Sequence, residues 1–349
     1  MIHDRIFQLS PPTQYWAPID EDQKECYDVA HHFLKMVKNN RLFEAPLGDN
    51  PSRILDLGTG TGIWAIDMAD EYPLAEVIGT DICLIQPAWV PPNCTFYIED
   101  AESEWKDPNA SLDFVHIRAL YGGVSDWPQL YREAHEVLVP GGWIEHLEFD
   151  ITPHSEVSEI MDDEDHIFNQ WSKALLDAMD RTGKTGRIGM GGNIRKYLEG
   201  TGFVDIVEKT YRIPCGRWGK DEKQKEIGDY CQLFMDMGLE GFALRLLKET
   251  TGWEYAEITK IVDRMRSALS DKRTQAYFLV TNVYAKRPEL PKGQMTTCLC
   301  YCHAGTAGEN GSGRRRRRAA KGVHEDAAGG LADVKHCNEV SIEGLQPSM

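Results

Sequence analysis

The sequence predicts an α/β fold in which short buried strands alternate with helices along one sheet, and three observations carry that reading. The first is Ile54-Leu55-Asp56-Leu57-Gly58-Thr59-Gly60-Thr61-Gly62-Ile63-Trp64, which reads as an apolar strand, a glycine turn and the first turn of a helix. Glycines let the main chain approach a ligand closely and leave helix N–H groups free to hold it, as nucleotide-like ligands require. The second is that the next two strands, Glu76–Asp81 and Thr95–Ile98, both end in acid, at Asp81 and at Glu99-Asp100-Ala101. The third is a further strand, Leu112–Arg118, with a helix and a fifth strand behind it.

An amphipathic helix is expected over Asp22–Phe43, because Val29, Phe33, Met36 and Val37 fall on one face. Asp126 is placed to cap a helix with Pro128 in its first turn, where a missing N–H costs nothing. Leu130, Ala134, Val137 and Leu138 line one side of it, Pro140-Gly141-Gly142 stops it, and Trp143–Phe149 begins strand five. A long helix then carries Phe168, Trp171, Leu175 and Met179 and ends near Gly183, and a short one carries Ile194, Tyr197 and Leu198. Strand six is Phe203–Ile213 and strand seven Tyr277–Arg287. Between them the periodicity of Ile227, Tyr230 and Phe234, then of Ile258, Ile261, Val262, Met265 and Leu269, predicts two inserted helices.

The glycine spacing narrows the ligand. A dinucleotide fingerprint needs Gly-x-Gly-x-x-Gly, which would put glycine at position 63. Ile63 stands there, and the third glycine comes one residue early, giving Gly58-x-Gly60-x-Gly62 behind Asp56. That spacing does not support a nicotinamide-dependent oxidoreductase. Asp81, about 20 residues past the turn, suits both hydroxyls of a ribose, with helix capping as the plainer alternative. Asp100 at the third strand's end is positioned for an exocyclic amine of adenine. The expected cofactor set is Asp56, Gly58, Thr59, Gly60, Gly62, Asp81, Ile82, Asp100 and Ala101.

The pattern Gly58-x-Gly60-x-Gly62 behind Asp56 resembles motif I of class I S-adenosylmethionine-dependent methyltransferases. The run Gly58–Asp67, Gln86-Pro87, Trp89–Cys94, Phe96, Trp105, His116-x-Arg118, Asp126-Trp127 and Pro140-Gly141-Gly142-Trp143-x-Glu145 is similar to the fungal LaeA-like (UMTA-type) members. The resemblance runs from about Tyr15 to Pro288. It implies a Rossmann-like seven-stranded sheet with helices on both faces, S-adenosyl-L-methionine as cofactor, and a role in fungal secondary metabolism. One departure is Gln275, at a place the family often fills with His. The implied organisation is a methyltransferase domain over 1–289, with an N-terminal helical cap (1–50) and a helical insertion between strands six and seven (214–270). Cap and insertion together are expected to roof the acceptor pocket.

Composition sets limits on function. At 349 residues, 42% hydrophobic and 27% charged, the chain can build one large domain or two small ones. A net charge of −17 argues against duplex nucleic acid, whose binding needs cations to replace phosphate counterions. No apolar run approaches a membrane span, and Met1–Arg5 lacks a secretory apolar region. Nine scattered Cys fit a reducing compartment, so a cytoplasmic location is expected. From Leu290 the chain turns to Gly, Ala and charge without period, which predicts a disordered tail over 290–349. Its Arg314–Arg318 run reads either as a nuclear import signal or as a solvated tail. Cys298-x-Cys300-x-Cys302-His303 is spaced too tightly for the usual zinc knuckle, so no metal is expected.

Methyl transfer from a sulfonium needs chiefly that nucleophile and methyl carbon be held in line. A base is required only for a poorly acidic hydroxyl or a carbon acid. Candidates at the sheet's carboxyl edge are His116, Arg118, Tyr121, Glu145 and His146. His116 is the first choice for acceptor-side proton handling, with Arg118 beside it. The alternative is that both brace the strand-four loop and the methionine carboxylate, and that Glu145 pairs with Arg118. No Asn-Pro-Pro-Tyr signature is present. The expected acceptor is therefore a small molecule methylated on oxygen, with N- or C-methylation open. The other reading is a nuclear regulator of secondary-metabolite gene clusters that works through protein partners.

Overall fold

The computed structural model describes residues 1–8, 15–106 and 108–289; the expected tail and its Arg and Cys clusters lie outside the described residues. The elements run α1 (Glu21–Val37), β1 (Arg53–Leu57), α2 (Ile63–Glu71), β2 (Glu76–Asp81), β3 (Cys94–Ile98), β4 (Leu112–Arg118), α3 (Trp127–Val137) and β5 (Leu138–Ser155). They continue as α4 (Ser158–Asp162), α5 (Ile167–Arg181), α6 (Asn193–Thr201), β6 (Val204–Pro214), α7 (Glu222–Arg245), a π-helical turn (Leu246–Thr251), α8 (Tyr255–Ser270) and β7 (Ala276–Lys286).

One seven-stranded sheet has the order β3-β2-β1-β4-β5-β7-β6. Strands β1 to β5 are parallel to one another, whereas β7 runs antiparallel to both β5 and β6. The strand order reverses at β1, between β2 and β4, and ligands of such sheets bind in the crevice beyond the carboxyl ends at that switch point. This is the Rossmann-like α/β sheet expected from the motifs, with helices α7 and α8 inserted between β6 and β7.

The period of two along each strand sorts the core. Ile54, Val77 and Phe114 pack with Trp64, Ala65 and Met68 of α2, while Leu55, Leu57, Ile78, Val115 and Ile117 belong to the larger cluster that includes α3, α5 and α6. Asp56, His116 and Glu145 are register partners on successive strands, so they form a polar row across the sheet on the α2 side. All three are buried.

Helix α1 stops six residues before the expected end at Phe43. Asn39 and Asn40 adopt positive φ (57° and 63°), the chain turns, and the buried Lys38 ammonium donates to the Leu42 carbonyl. Leu42 and Phe43 then enter the α2 cluster. Leu138, expected on the helix face, is instead the first residue of β5, with φ −66° and ψ 142°. The Pro-Gly-Gly segment sits inside β5 as an irregularity: Leu112 pairs with Leu138, but Phe114 pairs with Trp143.

Glu145 anchors the segment after α1 to the sheet. Its Oε2 accepts the Glu44 and Ala45 N–H groups (2.7 and 2.8 Å), and its Oε1 accepts from Asn282 Nδ2 (3.0 Å) with Lys38 Nζ at 3.7 Å. This corrects the expected Glu145–Arg118 pair. Removing the carboxylate leaves buried donors and the Lys38 charge unpaired, so Glu145→Ala should lower unfolding free energy by about 3 kcal/mol or more, read by denaturant titration.

Candidate active site

The glycine turn closes β1 and opens α2. Gly58, Gly60 and Gly62 take φ of +70°, +59° and +80°, a region in which side chains are strained. A Cβ on Gly62 would meet Phe96 at 2.4 Å, so close packing requires glycine there. A Cβ on Gly60 meets no protein atom within 4 Å. Gly62 caps α2 without a side-chain bond, leaving the helix's first N–H groups and its positive end facing the turn.

A cavity opens above this turn. Among its lining are Asp56, Gly58, Thr59, Gly60, Asp81, Ile82, Asp100 and Ala101, so eight of the nine expected cofactor residues meet on one wall. Gly62 lies outside the lining and serves the turn from behind. Asp81 accepts the Gly60 N–H (2.8 Å) on one carboxylate oxygen and the Cys83 N–H (2.9 Å) on the other. Each oxygen retains capacity for a second donor. Asp100 accepts the Glu102 N–H (3.0 Å) and stands on the β3 side. The glycine cradle, the Asp81 carboxylate and Asp100 along one wall fit an adenosyl group.

Asp56 works from beneath the turn. Its Oδ2 accepts the Thr59 hydroxyl (2.6 Å), and its Oδ1 accepts His116 Nδ1–H (2.7 Å). The His116 ring stacks on Trp64 at 3.7 Å and 4°. It has no exposed surface, does not line the cavity, and burial pushes its pKa down to about 4. His116 is thus a neutral strut under the glycine turn, which corrects its expected place at the acceptor.

Arg118 does line the cavity. Its Nη1 donates to His31 Nδ1 (2.9 Å), and His31 Nε2–H donates to Asp67 (3.0 Å), which Lys35 also reaches (2.6 Å). Burial holds the His31 pKa near 4, so its Nδ1 stays free to accept. The guanidinium is thereby steered by α1 and α2 towards the cavity. His146 is a core group: Tyr131 Oη lies 2.6 Å from its Nδ1, and its Nε2 donates to Glu148 (2.8 Å), which accepts the Leu120 N–H.

Other cavity residues came from segments without a motif. Tyr15, Pro18 and Ile19 precede α1, Tyr27 lies on it, and Lys184 follows α5. Burial raises the pKa of the Tyr15 and Tyr27 hydroxyls, so both remain protonated. Gln86, quoted above only as a family motif, donates to the Gly60 carbonyl (2.7 Å), and Thr61 donates to Asp28 of α1 (2.7 Å).

A second, apolar pocket adjoins the first and shares Phe149 with it. Its walls come from Trp16, from Trp171, Leu175 and Met179 of α5, and from Cys231, Phe234, Met235 and Phe242 of α7. Phe149 stacks on Phe234 (5.9 Å, 18°), and Phe33 of α1 meets both edge-on. Helix α7 therefore walls this pocket, and Phe33 of α1 packs against two of its lining rings. Tyr121 lines it as well.

A Rossmann-like sheet with this glycine turn and paired acids defines the class I methyltransferase architecture. Residues 29–206 match the family described as "Methyltransferase domain". The secondary metabolism regulator LAE1 of Cochliobolus heterostrophus is 37% identical over 281 residues, 79% of this chain and 90% of the relative. The methyltransferase pytC of Aspergillus terreus is 32% identical over 287 residues, 82% of this chain and 87% of the relative. Among solved structures, phosphoethanolamine N-methyltransferase 2 of Haemonchus contortus aligns with a TM-score of 0.45 at 18% identity, over 74% of this chain and about half (52%) of its own length.

The chain belongs to the methyltransferase domain family, among its fungal LaeA-like members. It is a methyltransferase that uses S-adenosylmethionine.

Gly60→Arg would add about 1 kcal/mol or more of backbone strain and put a long side chain into the cavity. We expect a folded protein, by circular dichroism, with no calorimetric binding of S-adenosylhomocysteine. Asp81→Ala should weaken that binding by tenfold or more, since a hydrogen bond to a charged group contributes about 1.5–3 kcal/mol; Asp100→Ala should cost less. Burial, with Asp56 nearby, pushes the Asp81 pKa up to about 6. The folded state therefore holds this proton more tightly than the unfolded chain, and the group's stabilising effect fades as pH rises from about 4 to about 6. Ribose hydroxyls need the carboxylate, so S-adenosylhomocysteine affinity should fall as pH drops through about 6, and Asp81→Asn should flatten that profile.

Proposed function

We infer that this chain O-methylates a small, largely apolar molecule in fungal secondary metabolism. The observation that carries this reading is the aromatic pocket that shares the Phe149 wall with the cofactor cavity. When bound, S-adenosylmethionine supplies an electrophilic methyl on sulfur. The protein's part is to bind, orient and keep water out. In this reading Asp81 takes the ribose hydroxyls, Asp100 and the Ala101 backbone bound the adenine, and the glycine turn carries the backbone of the ligand. Arg118, held by His31, takes the methionine carboxylate. The aromatic wall from Phe149 to Phe242 excludes water around the acceptor, so orientation supplies most of the rate.

The similarity to regulator LAE1 supports a second reading, in which the same site serves control of gene clusters through protein partners. Metabolite profiling of the host with and without the gene separates the two. Loss of one compound with accumulation of its counterpart lacking one methyl supports the biosynthetic enzyme. Broad loss of unrelated metabolites with no such counterpart supports the regulator.

A further inference from the structure

Strand β5 is interrupted where it meets the apolar pocket. Asp150 pairs with Leu279, but the next pair is His154 with Tyr277, so Ile151, Thr152 and Pro153 bulge out opposite Phe278 alone. Bulges of this kind re-aim side chains beside active sites. At the start of the bulge, Asp150 is a lining residue of a wall otherwise dominated by Trp16, Phe149, Trp171, Phe234, Phe242 and Phe278.

The carboxylate is held from behind. Thr152 N–H donates to Oδ1 (2.9 Å), and His154 Nε2–H donates to Oδ2 (3.1 Å). His154 stacks on Tyr277 (5.3 Å, 22°), whose ring also carries the Arg212 guanidinium at 3.6 Å. Two accepted bonds leave the carboxylate capacity for further donors, since each of its oxygens can take two. An apolar pocket with one oriented acceptor selects a ligand that is apolar apart from one donor.

We propose that Asp150 is the group that reads the acceptor: the pocket takes a flat aromatic molecule and holds its single hydroxyl on the Asp150 carboxylate. This assignment rests on the methyltransferase reading and deepens it. It moves the acceptor's polar anchor from His116, sealed under Trp64, to the end of β5. With a hydroxyl held there, the oxygen lone pair would form the bond to the methyl as the sulfonium's S–CH3 bond breaks, and the O–H proton would pass to the Asp150 carboxylate and on to solvent. The methylated product has lost that hydrogen and keeps only the apolar contacts, so the site itself favours release of product over substrate. Buried polar groups left unpaired by the wrong ligand are what make such discrimination large.

The test uses the full chain and two probes, 2-naphthol and its methyl ether 2-methoxynaphthalene, titrated by calorimetry. The wild-type protein should bind 2-naphthol about tenfold more tightly than the ether. Asp150→Asn keeps an oxygen for Thr152 but adds an amide donor, and should bring the two affinities within about twofold while the ether's own affinity is retained. That retained affinity shows an intact pocket. Met235→Trp, which enlarges a side chain on the α7 wall of the pocket and leaves the carboxylate in place, should weaken both probes together. Equal binding of the two probes by the wild type, or an unchanged preference in Asp150→Asn, overturns the proposal. A parallel titration with S-adenosylhomocysteine separates the two levels. Binding of that ligand without probe discrimination overturns the Asp150 assignment alone, whereas probe discrimination without it overturns the methyltransferase reading and leaves the pocket standing.

Discussion

The site depends on one clamp, the Asp56 carboxylate held between two strands and the turn that follows. Three glycines at alternate positions, all at positive φ, would be a floppy connection by composition, because glycine loses the most conformational freedom on ordering. Asp56 removes that freedom by taking the Thr59 hydroxyl from within the turn and the His116 ring N–H from β4. Trp64, from the first turn of α2, seals the assembly by stacking on the same imidazole. Strand, turn, helix and neighbouring strand are thus joined through one buried acid. Asp81 closes the turn from the other side through the Gly60 N–H. A cofactor reaching this cavity meets a backbone that has already been ordered.

The same polar row extends to Glu145, and from there to the segment that follows α1. This fixes an N-terminal helix remote in sequence, whose Tyr27, Ala30 and Leu34 line the cofactor cavity. Its C-terminal end is tied to the sheet through Glu145, and its middle is tied to the cofactor side through Asp28–Thr61 and His31–Arg118. The other face of α1 is covered by α7, where Cys26 donates to the Phe234 carbonyl and Phe33 meets Phe234 edge-on. Helices α1 and α7 thus pack on each other's apolar faces.

The strand–turn–helix at 54–64 and the acids at the ends of the next strands were legible because they depend on local chemistry. Glycine alone suits the turn, a carboxylate suits the strand end, and apolar alternation marks the strands. The helical periods of α5, α7 and α8 were legible for the same reason. The end of α1 was not, since Leu42 and Phe43 continue a helical apolar period that two asparagines at positive φ interrupt for the sake of a different core. His116 was misjudged from its position at the carboxyl edge. On a strand the direction of a side chain follows from parity and from what lies opposite, and opposite His116 stands Asp56.

By itself the sequence determined the α/β class, the glycine turn, the acids around it and the family resemblance, because each rests on contacts within a few residues or on a repeated period. Only the tertiary structure decided which titratable groups reach the cavity. Arg118 reaches it because His31 steers it from another helix, and His116 does not because Trp64 covers it. Asp150 borders the apolar pocket where a bulge interrupts the pairing of β5 with β7. Those outcomes depend on packing between segments far apart along the chain, where no local propensity carries the information.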